Sequence, residues 1–434
     1  MNSTLVAGVP ATGAEPPAPA RTPTDWRGAK MQGSIRRRYA AERRFRLLGL
    51  GAVLLSAGFL VFLLWTMVGN GARGFTQTEL RLDVDFPAST LMIDPAALAG
   101  PGKDAALAGA DIEGATTAAA TAAFGTDGER LLSDGAWLTV RDAIAADPTI
   151  LRRKAQIWVP AATNIDLAAK GDAAPEDEAA YARLDKAGVT KTGLNLTFLK
   201  NADSTDPTLV GVWGALKGSL LTMFVTIVLA FPVGVLSALY LEEYAPRNRW
   251  TDLIEVSINN LAAVPSIIFG LLGLAVFLNF MDMPRSAPIV GGLTLALMTM
   301  PVIVIAGRNA IKSVPPSIRD AALGIGASRV QVVFHHVLPL ALPGILTGTI
   351  IGMARALGET APLLMIGMRA FIASPPGGLT EPATVLPVQI FLWSDEVSRG
   401  FVEKTSAAII VLLVFLMLMN GIAIYLRNRF ERRW

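Results

Sequence analysis

The chain has no cysteine and only two histidines, His335 and His336, in 434 residues. Without thiols there is no disulfide, no thiolate metal site and no Cys nucleophile. Two adjacent histidines fall short of an ordinary ligand set, so no metal centre is expected. Charge is scarce as well. Only 17% of residues are charged, against about 25% in ordinary soluble domains. The net charge of +3 is too small to suggest a nucleic-acid partner. Nucleotide binding by a phosphate-cradling loop is also missing. A Walker A motif needs G-x-x-x-x-G-K-[ST]. The single Gly-Lys pair, Gly102-Lys103, is followed by Asp104 and has Ala97 where the first Gly belongs. The chain is therefore expected to bind no nucleotide and no cofactor of its own.

What the chain has in plenty is apolar sequence. Hydrophobic residues make up 52% and mean hydropathy is +0.47. Runs of about 20 apolar residues predict membrane spans. Six are expected: 47–69, then near 210–240, 253–280, 289–311, 340–367 and 406–426. The first follows a long polar tail and exceeds a signal-peptide core, so it reads as an uncleaved anchor. Lys and Arg near span ends set orientation. RGAKMQGSIRRRYAAERRFR precedes the first span and RNRFERRW follows the last. Both ends are therefore expected in the cytoplasm. The loop from Arg308 to Arg329 then lies inside, and 70–208 and 368–405 lie outside.

The expected organisation is a disordered, basic tail at 1–46 and a first span at 47–69. An extracytoplasmic insert follows at 70–208. A five-span core covers 209–426, with an inner loop at 313–339, and a basic tail closes the chain at 427–434. Residues 1–25 are rich in Pro and Ala, a composition that cannot build a packed core. In the insert, TELRLDVDFP, KAQIWVP and GLNLTFLK predict short strands. GAWLTVRDAIAAD and PEDEAAYARLDKAG predict helices. The fold class is thus an all-α polytopic membrane protein of six spans carrying a small α+β domain.

The inner loop has its own punctuation. Pro315 and Pro316 stop the fourth helix. Ser317 with Asp320, and Ser328 with Gln331, both have capping-box spacing. Gly324 or Gly326 can take positive φ between them. Two short helices joined by a tight turn are predicted. They are either an amphipathic connector or a docking surface.

The fifth span combines two features. Gly344, Gly348 and Gly352 recur every four residues, which suits close helix packing or a substrate face. Arg355 and Glu359 are four apart and can pair. Each charge costs roughly 2.5–3.5 kcal/mol in mid-membrane on insertion scales. A structural ion pair and a functional site both fit. Arg stays protonated and presents a planar fork of donors suited to oxyanions, so an anion path is favoured over a cation path.

The stretch 320–339 resembles the cytoplasmic signature of bacterial ABC importer permeases: EAA, three residues, Gly, nine residues, then I-x-L-P. Here it stands as Asp320-Ala321-Ala322, Gly326 and His336-Val337-Leu338-Pro339. Asp replaces Glu, and His336 replaces an apolar residue. ARALGETAPLL at 354–364 is similar to the A-type permeases of the phosphate-specific Pst importer. FPVGVLSALYLEEYAP and VPSIIFGLLGLAVF are similar too. The resemblance covers roughly 210–430.

The resemblance implies a type I ABC importer permease fold and inorganic phosphate as substrate. It implies that Asp320, Ala321, Ala322, Gly326, Leu338 and Pro339 couple to a dimer of ATPase subunits. It also implies that Arg355 and Glu359 lie on the path against a sister permease. A periplasmic phosphate-binding protein and membrane lipid complete the implied partners. Pst permeases often carry an Arg four positions after the Pro matching Pro301. Ile305 stands there instead, so Arg308 reads as a positive-inside anchor. Two alternatives stay open: a permease for sulfate or molybdate, and a membrane sensor with an outer ligand domain.

Overall fold

A computed structural model describes residues 28–89, 91, 93, 98, 103–368 and 371–430. The disorder expected at 1–25 lies outside the described residues, as does the end of the basic tail, 431–434.

Helix α1 runs unbroken over Ala29–Gly74. It contains the expected first span but starts much earlier. The basic stretch 29–46, expected to be disordered with the rest of the tail, is helical instead. It carries six Arg and three Ala, both good helix formers, and no proline interrupts it.

Three antiparallel strands follow in the order β2-β1-β3: β1 at Thr76–Asp85, β2 at Lys154–Pro160 and β3 at Thr190–Leu194. The two-residue period of β1 buries Leu80, Leu82 and Val84 on one face. Leu80 stands opposite Val159, and Leu82 opposite Ile157. Helices α2 (Lys103–Ala108), α3 (Ile112–Phe124), α4 (Ala136–Ala146), α5 (Thr163–Ala169) and α6 (Pro175–Lys186) accompany the sheet. Ile112, Ala120, Val140, Ile144 and Ile165 join the buried strand residues in one apolar cluster.

Of the expected strand GLNLTFLK, only Gly193 and Leu194 are strand. It ends at Leu194, and α7 (Leu196–Lys200) begins. Asn195 is the reason: its side chain accepts the Phe198 N–H at 2.8 Å and caps the helix.

The rest is helical. α8 is Trp213–Leu239, continued by a π segment to Tyr244. α9 (Arg249–Ala262) and α10 (Ser266–Gly273) follow, the latter continued by a π segment to Phe280. Then come α11 (Pro288–Lys312), α12 (Pro316–Gly324) and α13 (Arg329–Gln331). A π segment over Val332–Val337 leads into α14 (Leu338–Gly358). α15 (Ala361–Met365), α16 (Leu386–Ser394) and α17 (Gly400–Phe430) complete the chain.

Among the described residues, five helices are long and apolar enough to cross a membrane: Met31–Gly74, Trp213–Tyr244, Pro288–Lys312, Arg329–Gly358 and Gly400–Arg429. The third expected span is not one straight helix. α9 and the α10 segment meet at a bend of 100°. Pro265 precedes α10, and the residue before a proline is pushed out of helical geometry. The fifth expected span is also cut short, since α14 stops at Gly358.

Small residues bring the helices together. A Cβ on Gly234 would lie 2.7 Å from Ile303 of α11, and one on Gly74 would lie 2.6 Å from the Glu403 carbonyl of α17. An aromatic series, Phe75–Phe198–Trp393–Phe401, has ring centroids 5.5, 6.3 and 6.2 Å apart. It joins the start of β1 to α7, α16 and α17.

Candidate substrate path and coupling surface

Arg355 sits in the last turn of α14, where a cation complements the helix dipole. Glu359 is the first residue beyond the helix, with extended backbone at φ −79°, ψ 116°. The two expected partners therefore do not share a continuous helix. They still pair, with Arg355 Nε donating to Glu359 Oε1 at 3.4 Å. That is long for an N–H···O bond, whose usual distance is about 2.9–3.0 Å. The Arg355 side chain is 49% exposed and that of Glu359 19%. The Arg355 Nη groups have no hydrogen-bond partner among the described residues.

The break itself bears on function. Residues 359–360 are non-helical, and α15 restarts with Pro362 in its first turn. Pro362 thus begins the next helix and does not kink α14. Non-helical backbone at membrane depth is tolerated where it is buried in protein or lines a watery cavity. Gly270 of α10 packs against Pro362, where a Cβ would lie 2.6 Å from the Pro362 Cα.

Gly344, Gly348 and Gly352 face α11 of the same chain. A Cβ on Gly344 would come within 2.7 Å of the Ala310 Cβ, and one on Gly352 within 3.0 Å of Thr299 Cγ2. A Cβ on Gly348 would overlap that of Ala306. This face is filled by a neighbouring helix.

The loop residues divide into two groups. Asp320, Ala321 and Gly326 are exposed, and Gly326 makes the turn at φ +90°. Leu323 and Ile325 are exposed beside them. Ala322 is buried among Val332, Val333 and Val337, so it does not present a small surface to a partner. Leu338 and Pro339 are half-buried in the first turn of α14.

Of the two predicted capping boxes, Ser328–Gln331 forms. Gln331 N–H donates to Ser328 Oγ at 3.3 Å, and Ser328 N–H to Gln331 Oε1 at 2.8 Å. Ser317–Asp320 does not form, because α12 starts two residues early, with Pro315 at its N-cap. The second short helix is not separate; it passes through the π segment into α14.

Sequence reasoning missed the charged network beside this loop. Arg308 Nη2 donates to Glu255 Oε2 at 2.8 Å, and its Nε to Glu242 Oε2 at 3.3 Å. Its side chain is only 12% exposed, so the residue read as a positive-inside anchor is also held between two acids. Lys312 Nζ lies 3.7 Å from the same Glu242 oxygen. Arg319 reaches Glu243. The signal available in the sequence was the pair Glu242-Glu243 ending an apolar run, opposite basic loops.

A second missed set is polar and uncharged. Thr222 Oγ1, Thr384 Oγ1 and both side-chain polar atoms of Gln389 are buried without a partner among the described residues. Thr222 lines a cavity of about 10 Å³ with Ser219, Ala356 and Leu357, room for about one water.

Residues 215–434 match the model of the binding-protein-dependent transport system inner membrane component family. The chain belongs to that family. It is an ABC importer permease subunit and a multi-pass protein of the inner membrane, and it is PstA-like in sequence. Family membership implies ATPase and substrate-binding-protein partners.

This permease is 32% identical over 210 residues to the probable ABC transporter permease protein YqgI of Bacillus subtilis, covering 46% of this chain and 71% of that one. Identity is 36% over 156 residues to the phosphate transport system permease protein PstA 1 of Mycobacterium tuberculosis. That match covers 36% of this chain and only about half (51%) of the relative. The PstA of Yersinia pestis is 30% identical over 214 residues, covering 49% and 71%. Residues 32–179 of the permease match a domain of unknown function, DUF3333. Among solved structures, an inward-facing MetNI methionine ABC transporter aligns with 51% of this chain and 95% of its own. The identity is 20% and the TM-score 0.40.

Proposed function

We propose that this permease carries inorganic phosphate inward across the bacterial inner membrane as part of an ATP-driven importer. The phosphate-transport permeases among its relatives support that substrate. The observation that carries the reading is Arg355. It is a permanently charged fork in an apolar helix, half exposed, held by one long contact to Glu359, directly before a helix break. Such a group is ready to exchange its weak internal partner for a tetrahedral oxyanion, to which it can bond bidentately. Glu359 neutralises it between transport events. The path runs between this chain and a sister permease of the Pst type.

Six spans, counting the bent α9–α10 pair as one, put both ends in the cytoplasm. The sheet domain then lies outside. The exposed face of α12, with Asp320, Ala321 and Gly326, docks against the ATPase, which binds ATP and Mg on its own surface. ATP hydrolysis belongs to that subunit, and this chain is not an enzyme.

Uptake of labelled phosphate and sulfate in cells carrying Arg355→Ala or Arg355→Lys tests the reading. Arg355→Ala is expected to lower phosphate uptake by about tenfold or more, the size of a lost charge-assisted bond. Arg355→Lys should retain part of it. Unchanged phosphate uptake in a fully assembled Arg355→Ala complex would refute the path. A selective loss of sulfate uptake would move the substrate to another oxyanion.

A further inference from the structure

α12 has two charged faces with different surroundings. Asp320 and Ala321 point outward, while Arg319 turns inward and is 21% exposed. Its guanidinium makes contacts in three directions. Nη1 donates to the Val314 carbonyl at 2.6 Å, and Nη2 to the Ile311 carbonyl at 3.0 Å. Nη2 and Nε donate to Glu243 Oε1 at 2.7 and 3.1 Å. The first two contacts go to carbonyls at the end of α11 and just beyond it. The third reaches the end of α8. Glu243 is only 12% exposed, so water screens this pair weakly.

The end of α8 is built for such a link. Tyr240–Tyr244 is a π segment, a local widening frequent at functional sites. There the consecutive acids Glu242 and Glu243 serve different partners. Glu242 faces Arg308 and Lys312 of α11, and Glu243 faces Arg319 of α12. Arg308 continues the chain of charges to Glu255 of α9. Among the described residues, Arg319–Glu243 is the one side-chain hydrogen-bonded connection between α12 and the end of α8. α12 also packs against the π segment before α14.

We propose that the Arg319–Glu243 pair is the mechanical linkage through which a displacement of α12 reaches α8, with Arg319 as a positioning residue for coupling. The inference rests on the reading that the outer face of α12 docks on the ATPase. A planar guanidinium held at three points resists both tilt and slide. The apolar packing of Ala322 and Ile318 alone would let α12 rock without carrying α8 along. Motion of α12 toward α14 needs no such link, because the chain itself connects them.

The test uses the whole transporter, with its ATPase, sister permease and binding protein, in proteoliposomes. Phosphate uptake and ATP hydrolysis are measured on the same preparation for Arg319→Gln, Glu243→Gln, the double variant and Arg319→Lys. The linkage predicts that phosphate moved per ATP falls about tenfold in each Gln variant, the size expected for a lost charge-assisted pair. The double variant should be no worse than the more severe single one, because both remove the same connection. Arg319→Lys should fall in between. A merely structural role would lower uptake and hydrolysis together and leave their ratio at the wild-type value, which overturns the linkage. Strictly additive losses in the double variant overturn it too. Ala321→Arg separates the two readings. It should prevent the ATPase from co-purifying, whereas Arg319→Gln should not. Retention of the ATPase by Ala321→Arg would remove the docking reading and the linkage with it.

Discussion

Lys170 Nζ lies 2.8 Å from Glu403 Oε2, across 233 positions of sequence. Lys170 stands at the end of α5 in the sheet domain, and Glu403 in the first turn of α17. Both side chains are under a tenth exposed. Lys170 also donates to Asp166 Oδ2 at 2.7 Å and to the Thr76 carbonyl at 3.2 Å. Asp166 Oδ1 in turn accepts the Thr78 N–H at 2.7 Å. Lys404, equally buried, donates to the Gly74 carbonyl at 3.2 Å and lies 5.7 Å from the Phe198 ring centroid. Two lysines and two carboxylates thus meet where β1, α5 and α17 come together. Their charges balance.

Removing one member leaves an uncompensated buried charge. Lys170→Ala or Glu403→Ala is expected to cost about 3–5 kcal/mol. Lys170→Met combined with Glu403→Leu should cost clearly less, because apolar side chains of similar volume need no partner. Thermal unfolding of the purified chain in detergent measures both. Equal melting temperatures for Lys170→Ala and the wild type would show that the cluster contributes nothing.

The contact of α14 with α11 depends on absent side chains. Gly348→Ala is expected to destabilise by about 1–3 kcal/mol, because its Cβ would overlap that of Ala306 across a packed interface. Gly421→Ala of α17, where a Cβ meets nothing within 4 Å, should be neutral or slightly stabilising, as alanine is the better helix former. Denaturation of the two variants side by side checks the contrast.

The two serines of the inner loop should behave differently. Ser328→Ala removes a formed capping box and is expected to weaken the start of α13 by about 1 kcal/mol. Ser317→Ala removes no cap and should have no effect on α12. Amide hydrogen exchange over 317–331 reads both. Faster exchange confined to the segment after Ser328 is the expected pattern.

Much of this architecture follows from composition and local pattern. The apolar runs identify the helices that can span a membrane, and the two-residue alternation of TELRLDVD identifies β1. The Ser328 cap and the Gly326 turn are local features as well, settled by side chains within three residues of each other. The permease motif was equally legible, because the spacing from Asp320 to Pro339 survives in one uninterrupted segment.

Other features depended on partners distant in sequence. The backbone break after Gly358 leaves Glu359 outside the helix that carries Arg355, although the two still pair. Ala322 looks like a surface residue until Val332 and Val333 fold over it. Arg308 reads as a positive-inside anchor, and its pairing with Glu242 and Glu255 of two other helices appears only in the fold.

The amino-acid sequence alone thus determined the membrane class, the permease family and the candidacy of Arg355, since hydropathy, charge scarcity and motif spacing are properties of contiguous residues. Tertiary structure alone decided which charges are paired, which glycines are filled and which face of α12 is free. Those outcomes depend on distances of a few ångströms between segments tens to hundreds of residues apart, and local sequence carries no record of them.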